Sequence, residues 1–241
     1  MSASKPVLRV ESLLKSYTLP SAGGQSAARS PERLKVLKGI SFEVAAGERL
    51  AIMGRSGGGK STLLGCLSGL DRADSGVVEV LGRDLETMAP AELNGFRARS
   101  IGIVFQQFQL LDHFTALENV RLPLDLAGVD VKDADERAAE KLARVGLADR
   151  SDHFPDQMSR GECQRVAIAR VLAMGCPLVF ADEPTGSLDV KTGKLVMDLL
   201  FDSLKEAGAS LVLVTHDPEL AARCDRVLRI EDGLLFEGPL R

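Results

Sequence analysis

The sequence predicts an α/β protein: a largely parallel sheet covered on both faces and interrupted by a block of helices. Three observations predict it. Apolar strand-like runs alternate with helical runs along most of the chain, as in a parallel sheet whose crossovers are helices. The stretch GRSGGGKST, residues 54–62, lies between an apolar run and a helical one. From Gln106 to about Asp156 the periodicity becomes helical, so a helical subdomain is expected between strands of one sheet.

Composition bounds the class. At 241 residues, 45% apolar and 27% charged, the chain can bury one sizeable core and reads as soluble and globular. The net charge is −4 with both signs interspersed, and no basic tract points to nucleic acid. Cys66, Cys163, Cys176 and Cys224 show no C-x-x-C spacing, so neither a zinc site nor a disulfide framework is indicated, and reduced thiols are expected. The opening MSASKPVLRVES lacks an apolar signal core, and no apolar run reaches about 18 residues. The expectation is a chain that does not span a membrane and meets one only through a partner.

The elements run in this order. Val7, Leu8, Arg9 and Val10 form a short alternating strand, followed by Leu14, Lys15, Ser16 and Tyr17. Residues 20–31, PSAGGQSAARSP, read as a mobile surface loop. Residues 36–44 and 48–53 read as two strands joined by a turn at Ala46-Gly47. Residues 76–81 are a further strand, 90–99 a short helix and 101–105 a buried strand. Thr115 heads an amphipathic run through Leu117, Val120, Leu124 and Ala127. Residues 133–145 form a second helix with Ala138, Leu142 and Val145 on one face, and with i,i+4 pairs Asp133–Arg137 and Glu140–Arg144. Ser159, Arg160, Gly161 and Glu162 have the form of a capping box, so a helix should run from there to Met174. Strands return at 178–181, 211–214 and 227–230, with a helix at 192–206 between the first two.

Chemistry concentrates at a few of these junctions. In GRSGGGKST the residues Gly54, Gly57, Gly58 and Gly59 let backbone N–H groups wrap an anion, and Arg55, Ser56 and Thr62 complete the stretch. The following helix adds its unpaired N–H groups and partial positive charge. Lys60 is placed for β- and γ-phosphates and Ser61 for Mg²⁺, so a nucleoside triphosphate is the expected ligand. The strand LVFADE ends in two carboxylates: Asp182 is suited to hold Mg²⁺ through water and Glu183 to take a proton from an attacking water. Strand alternation would point these two side chains in opposite directions. His216, ending the strand SLVLVT, would reach the γ-phosphate and the attacking water, whereas His113 and His153 read as structural. Gln106 follows the strand IGIVF, where a neutral amide could contact Mg²⁺ or water and report on the γ-phosphate.

Together these residues resemble the ATP-binding-cassette (ABC) ATPase family, over about residues 7–238. GRSGGGKST looks like its Walker A, VFQQF its Q-loop, LVFADE its Walker B, Ser187-Leu188-Asp189 its D-loop and His216 its switch histidine. MSRGECQRVAIAR, residues 158–170, resembles the signature helix, and Tyr17 matches the aromatic that stacks on adenine. The resemblance implies a P-loop NTPase with a RecA-like parallel core, an antiparallel β edge and an inserted helical subdomain. The catalytic core would be residues 1–105 and 166–241, and the helical subdomain 106–165. It implies ATP and Mg²⁺ as cofactors, with Arg160, Glu162 and Asp189 among the nucleotide-binding residues, and a head-to-tail dimer in which Lys60 of one chain and Ser159-Gly161 of the other meet the same nucleotide.

The family usually has LSGGQ or LSGGE, and Arg160 replaces its first glycine. If that position needs positive φ, arginine costs stability; otherwise its charge assists phosphate binding. FQQFQLLDHFTALENVRLPLDLAGV and ADEPTGSLD look most like the branch serving lipoprotein-releasing and macrolide-exporter systems, with FtsE-type cell-division ATPases near relatives. That implies a transporter subunit at the cytoplasmic face of the inner membrane, docked on a separate permease. The alternatives are an ATPase that transmits force without moving a solute, and a soluble P-loop ATPase or kinase.

Overall fold

The structure, a computed structural model, describes residues 5–19, 33–55 and 57–238. The expected loop at 20–31 and Ser56 of the glycine-rich stretch lie outside the described residues.

Two sheets form the framework. The first is four-stranded and antiparallel, in the order β2-β1-β4-β5: β1 (Leu8–Thr18), β2 (Arg33–Val44), β4 (Ser75–Val80) and β5 (Arg83–Asp84). The second is six-stranded, in the order β10-β9-β3-β8-β7-β6: β3 (Arg49–Met53), β6 (Ile101–Val104), β7 (Leu178–Asp182), β8 (Ser210–Thr215), β9 (Arg226–Glu231) and β10 (Leu234–Glu237). Its strands are parallel except β10, which closes one edge antiparallel to β9.

The main sheet has a core on each face. Leu178, Phe180, Val212 and Val214 pack on one side, with Leu63 and Leu67 of α1 (Lys60–Leu67), Leu93 and Phe96 of α2 (Pro90–Ser100), and the antiparallel sheet. Val179, Ala181, Leu211 and Leu213 pack on the other, with α3 (Ala116–Leu126), α4 (Val131–Arg144), α5 (Arg160–Met174) and α6 (Val190–Ala207). Alternate residues of β7 and β8 thus serve opposite cores, which is why both strands are apolar without a break. Phe180 is fully buried, a burial that contributes about 2–3 kcal/mol.

Several expectations change. The two segments at 7–10 and 14–17 are one strand, β1, carried through a bulge where Ser12 takes φ 47° and its N–H donates to Ser41 Oγ at 2.8 Å. The strands at 36–44 and 48–53, whose pairing the sequence leaves open, enter different sheets: β2 lies in the antiparallel sheet and β3 between β8 and β9. The turn at Ala46-Gly47 carries the chain between layers, because β3 is buried along its length after Arg49 and needs a central position. In the helical block, Glu140 pairs with Lys141, and Arg144 turns away to Glu206 and Ser203 on α6. A contact to a neighbouring helix thus replaces the expected Glu140–Arg144 pair.

The helical block is otherwise as its caps dictate. Thr115 and Glu118 form a capping box at α3, and Ser159 and Glu162 one at α5. Helix α5 runs unbroken through residues 165 and 166, packing on α3 and α4 as well as on α6 and β6. The expected boundary at 165/166 falls within this helix. Burial pushes the thiols of Cys66 and Cys176 up to about 12 and about 11, and that of Cys224 to about 12. Among the described residues no helix is long and apolar enough to cross a membrane.

Candidate functional site: a phosphate cleft at the sheet edge

Four parallel strands in the order β3-β8-β7-β6 end on the same edge, with Met53 beside Thr215, Val214 beside Asp182 and Ala181 beside Val104. The segments leaving these strands therefore converge: the glycine-rich loop after β3, His216 after β8, Glu183 after β7 and Gln106 after β6. Ligands of open α/β sheets bind at this edge.

The loop leads into α1 through Gly59, the N-cap, at φ 95°. An L-residue side chain is strained there. No side chain caps α1 and its first turn holds no acid, so its leading N–H groups and the positive dipole end are left to an outside anion. Lys60 is 7% exposed; its Nζ donates to Gly54 O at 2.9 Å and Arg55 O at 3.1 Å. It stands 3.5 Å from Glu183 Oε1. The ammonium is thus held at the centre of the loop by carbonyls, ready to meet further negative charge.

A cleft of about 570 Å³ opens over this loop, lined also by Ser61, Thr62, Gln106, Asp182, Glu183 and Tyr17. Ser61 Oγ donates to Asp182 Oδ2 at 3.3 Å. Burial, with the neighbouring Glu183 carboxylate, raises Asp182 above the ordinary carboxylate range, although Ser61 and Lys60 pull the other way. Ser61, Asp182 and Gln106 offer oxygen donors, the chemistry a hard cation such as Mg²⁺ requires. No group of three or more His, Cys, Asp or Glu that could hold a metal occurs among the described residues. A cation here would be completed by phosphate oxygens and water, which is how Mg²⁺ is commonly bound.

Alternation does not separate the two acids. Glu183 takes φ 43°, which turns the chain as the strand ends, and both carboxylates line the same cleft. Glu183 Oε2 lies 3.1 Å from His216 Nδ1. Tyr17, at the end of β1, is 41% exposed, and its hydroxyl donates to Asp71 Oδ2 at 2.7 Å. Lys15 Nζ donates to the other oxygen of Asp71, also at 2.7 Å. His153 lies 3.0 Å from Arg150 and does not line the cleft.

The signature residues lie elsewhere. Ser159, Gly161 and Glu162 line a separate hollow of about 250 Å³ with Thr192 and Leu195 of α6. Asp189 caps α6, accepting from Thr192 N at 3.0 Å, and shares a third hollow with His216. Arg160 is the first helical residue of α5 and does not have positive φ. Its side chain reaches Ser187 O at 3.4 Å, and the arginine carries no backbone strain. Gly161 is needed for closeness, since a Cβ there would lie 2.4 Å from Thr192 Cγ2.

Sequence reasoning missed Gln164, which is fully buried on α5. Its signal is a polar residue on the stripe Gly161, Gln164, Ile168 and Val171, all buried at helical spacing.

A parallel α/β core, a glycine-rich loop feeding an uncapped helix, and two carboxylates facing it define a P-loop nucleoside triphosphatase. The model of the family described as ABC transporter matches residues 37–186. The macrolide export ATP-binding/permease protein MacB of Escherichia coli (strain K12) is 43% identical over 234 residues, which are 97% of this chain and 34% of that protein. The MacB of Salmonella choleraesuis (strain SC-B67) is 45% identical over 208 residues, 86% of this chain and 32% of that one. The chain thus spans about a third of the length of these relatives. A dimeric post-hydrolysis structure of the ATP-binding cassette MJ0796, bound to ADP and Pi, aligns with TM-score 0.85 and 37% identity over 97% of this chain and 99% of that one. CbiO1 from Clostridium perfringens, part of the transporter complex cbiONQ, aligns with TM-score 0.81 and 30% identity over 96% and 87%. The chain belongs to the ABC transporter family, as an ATP-binding cassette with ATPase activity.

Proposed function

We propose that this cassette powers an exporter of the macrolide or lipoprotein-release type, acting on a membrane permease from the cytoplasmic face. The ATP-binding/permease names of the relatives support the permease partner. The observation that carries the dimeric reading is the division of the machinery within one chain. Lys60, Ser61 and Asp182 line one cleft, while the capped start of α5 at Ser159 lines another. Two copies arranged head to tail would bring each start of α5, with the N–H groups its capping box leaves open, over the partner's cleft.

In this reading the loop around Gly57, Gly58 and Gly59, with Lys60 and Thr62, binds the triphosphate, and Tyr17 stacks on the base. Ser61, Asp182 and Gln106 would hold Mg²⁺, which would supply screening of phosphate charge. Glu183 takes the proton of the attacking water, and His216 orients that water and the γ-phosphate. Arg160, Gly161, Glu162 and Asp189 belong to the half-site that closes in trans.

Glu183→Gln tests this. The variant is expected to bind Mg·ATP normally, to lose turnover by about 10²-fold or more, and to accumulate as an ATP-dependent dimer in light scattering. Near wild-type hydrolysis would remove Glu183 as base, and a variant that stays monomeric with ATP would remove the dimeric site.

A further inference from the structure

Helix α5 is fastened to both loops that carry the site. Gln164, with no solvent exposure, donates from Nε2 to Pro184 O at 2.8 Å and reaches Phe105 O at 3.4 Å. Pro184 follows Glu183, and Phe105 precedes Gln106. Further along the helix, Arg170 donates to Phe108 O at 2.8 Å and to Gln109 O at 2.6 Å. Both of those loop residues have left-handed backbone, at φ 53° and 52°.

The orientation of the Gln164 amide is not free. Two carbonyl oxygens converge on one of its atoms, so that atom must be the nitrogen, the only donor the amide has. The other atom, Oε1, is then left buried without a hydrogen-bond partner among the described residues. Such a group costs stability, and one in a native fold calls for a reason. The reason lies in what the donor end holds. Glu183 keeps φ 43° in a region unfavourable to side chains, and that turn aims its carboxylate into the same cleft as Asp182. The turn is pinned before it by Glu183 N donating to Val214 O at 2.9 Å, and after it by Gln164 on Pro184 O. The same amide meets the last carbonyl before Gln106.

We propose that Gln164 is a positioning residue for hydrolysis: its amide sets the Glu183 turn and the Gln106 loop in register, so both address one phosphate. A glutamate there would turn an acceptor toward two carbonyls, and a methionine would fill the space but bond to neither. The inference rests on Glu183 acting as the base.

The test measures kcat and KM for Mg·ATP, with thermal midpoints, in the full chain carrying Gln164→Met, Glu183→Gln or both. Gln164→Met is expected to lower kcat about tenfold or more with KM changed less than about twofold, the signature of an interaction that matters only in the transition state. The double variant should hydrolyse no more slowly than Glu183→Gln alone, because residues that act as a unit are not additive. Unchanged kcat in Gln164→Met beside an inactive Glu183→Gln would overturn the role of Gln164 alone, as would losses that multiply in the double variant. Unchanged turnover in Glu183→Gln would remove the base and the inference with it. Should Gln164→Met be recovered unfolded, Gln164→Asn keeps the amide but shortens its reach: lowered kcat at constant KM supports the proposal, and wild-type turnover overturns it.

Discussion

His216 Nδ1 lies 3.1 Å from Glu183 Oε2, on the carboxylate oxygen opposite the one that faces Lys60. The carboxylate of Glu183, the proposed base, is therefore held between an imidazole and an ammonium, each on its own oxygen. His216 is the exposed member, at 67% of its side chain against 21% for Glu183. His216→Ala should leave nucleotide affinity within about twofold and lower turnover by about 10–100-fold, since it removes an orienting group and no part of the phosphate loop. Equilibrium binding alongside steady-state hydrolysis checks the split.

Lys60→Ala should abolish useful ATP affinity. The ammonium is anchored by two carbonyls of its own loop, so it is already oriented when phosphate arrives. Losing two charge-assisted contacts of about 1.5–3 kcal/mol each corresponds to a drop of roughly 10²-fold or more. Titration with Mg·ATP checks this, and unchanged affinity would defeat the phosphate-loop assignment.

Arg160→Gly restores the residue usual in the family. Glycine near the start of α5 should cost about 0.5–1 kcal/mol through backbone entropy, seen as a drop of about 2 °C in thermal midpoint. If the guanidinium helps hold the partner's phosphates, the apparent KM for ATP should rise about two- to tenfold. Equal turnover at every ATP concentration would make the arginine neutral.

Asp71→Asn probes the Lys15–Asp71–Tyr17 cluster and its pH dependence. Burial pushes Asp71 up, but the Lys15 ammonium and the Tyr17 hydroxyl outweigh it and hold the carboxyl below its ordinary value of 3.8. A depressed carboxyl stabilises the fold above the unfolded value, and that gain is lost as pH falls through the folded one. Urea unfolding at pH 7 should show the variant weaker by up to about 1 kcal/mol, because Lys15 loses a charged partner whose pairing is screened at the half-exposed Asp71. The gap should hold down to about pH 4 and close below it. A gap that persisted unchanged at pH 3 would show that the carboxylate charge is not its source.

Local signals exposed much of this molecule. The glycine-rich stretch, the capping boxes at Thr115 and Ser159, and the apolar strands ending in Asp182 and Thr215 each declare themselves within a few residues. What the sequence concealed depends on distant partners or unusual backbone. β2 and β3 look like neighbours, yet part into different sheets because β3 can bury both faces only between β8 and β9. Ser12 and Glu183 take left-handed conformations, which side-chain identity does not announce. Ser12 joins two segments into one strand, and Glu183 brings to one cleft two acids that alternation would divide. Gln164 was concealed differently: its importance lies in two carbonyls that only the folded chain brings together.

The placement of two cysteines, Cys66 buried and Cys224 half-buried, has a practical consequence. Cys66 lies in the first of the two main cores, and Cys224 packs against the second. With acidity suppressed to about 12 at both, neither thiol offers much thiolate to an alkylating reagent while its layer is shut. Labelling followed residue by residue would then read out when each layer breathes, and whether nucleotide quiets one more than the other, with no dye or tag introduced.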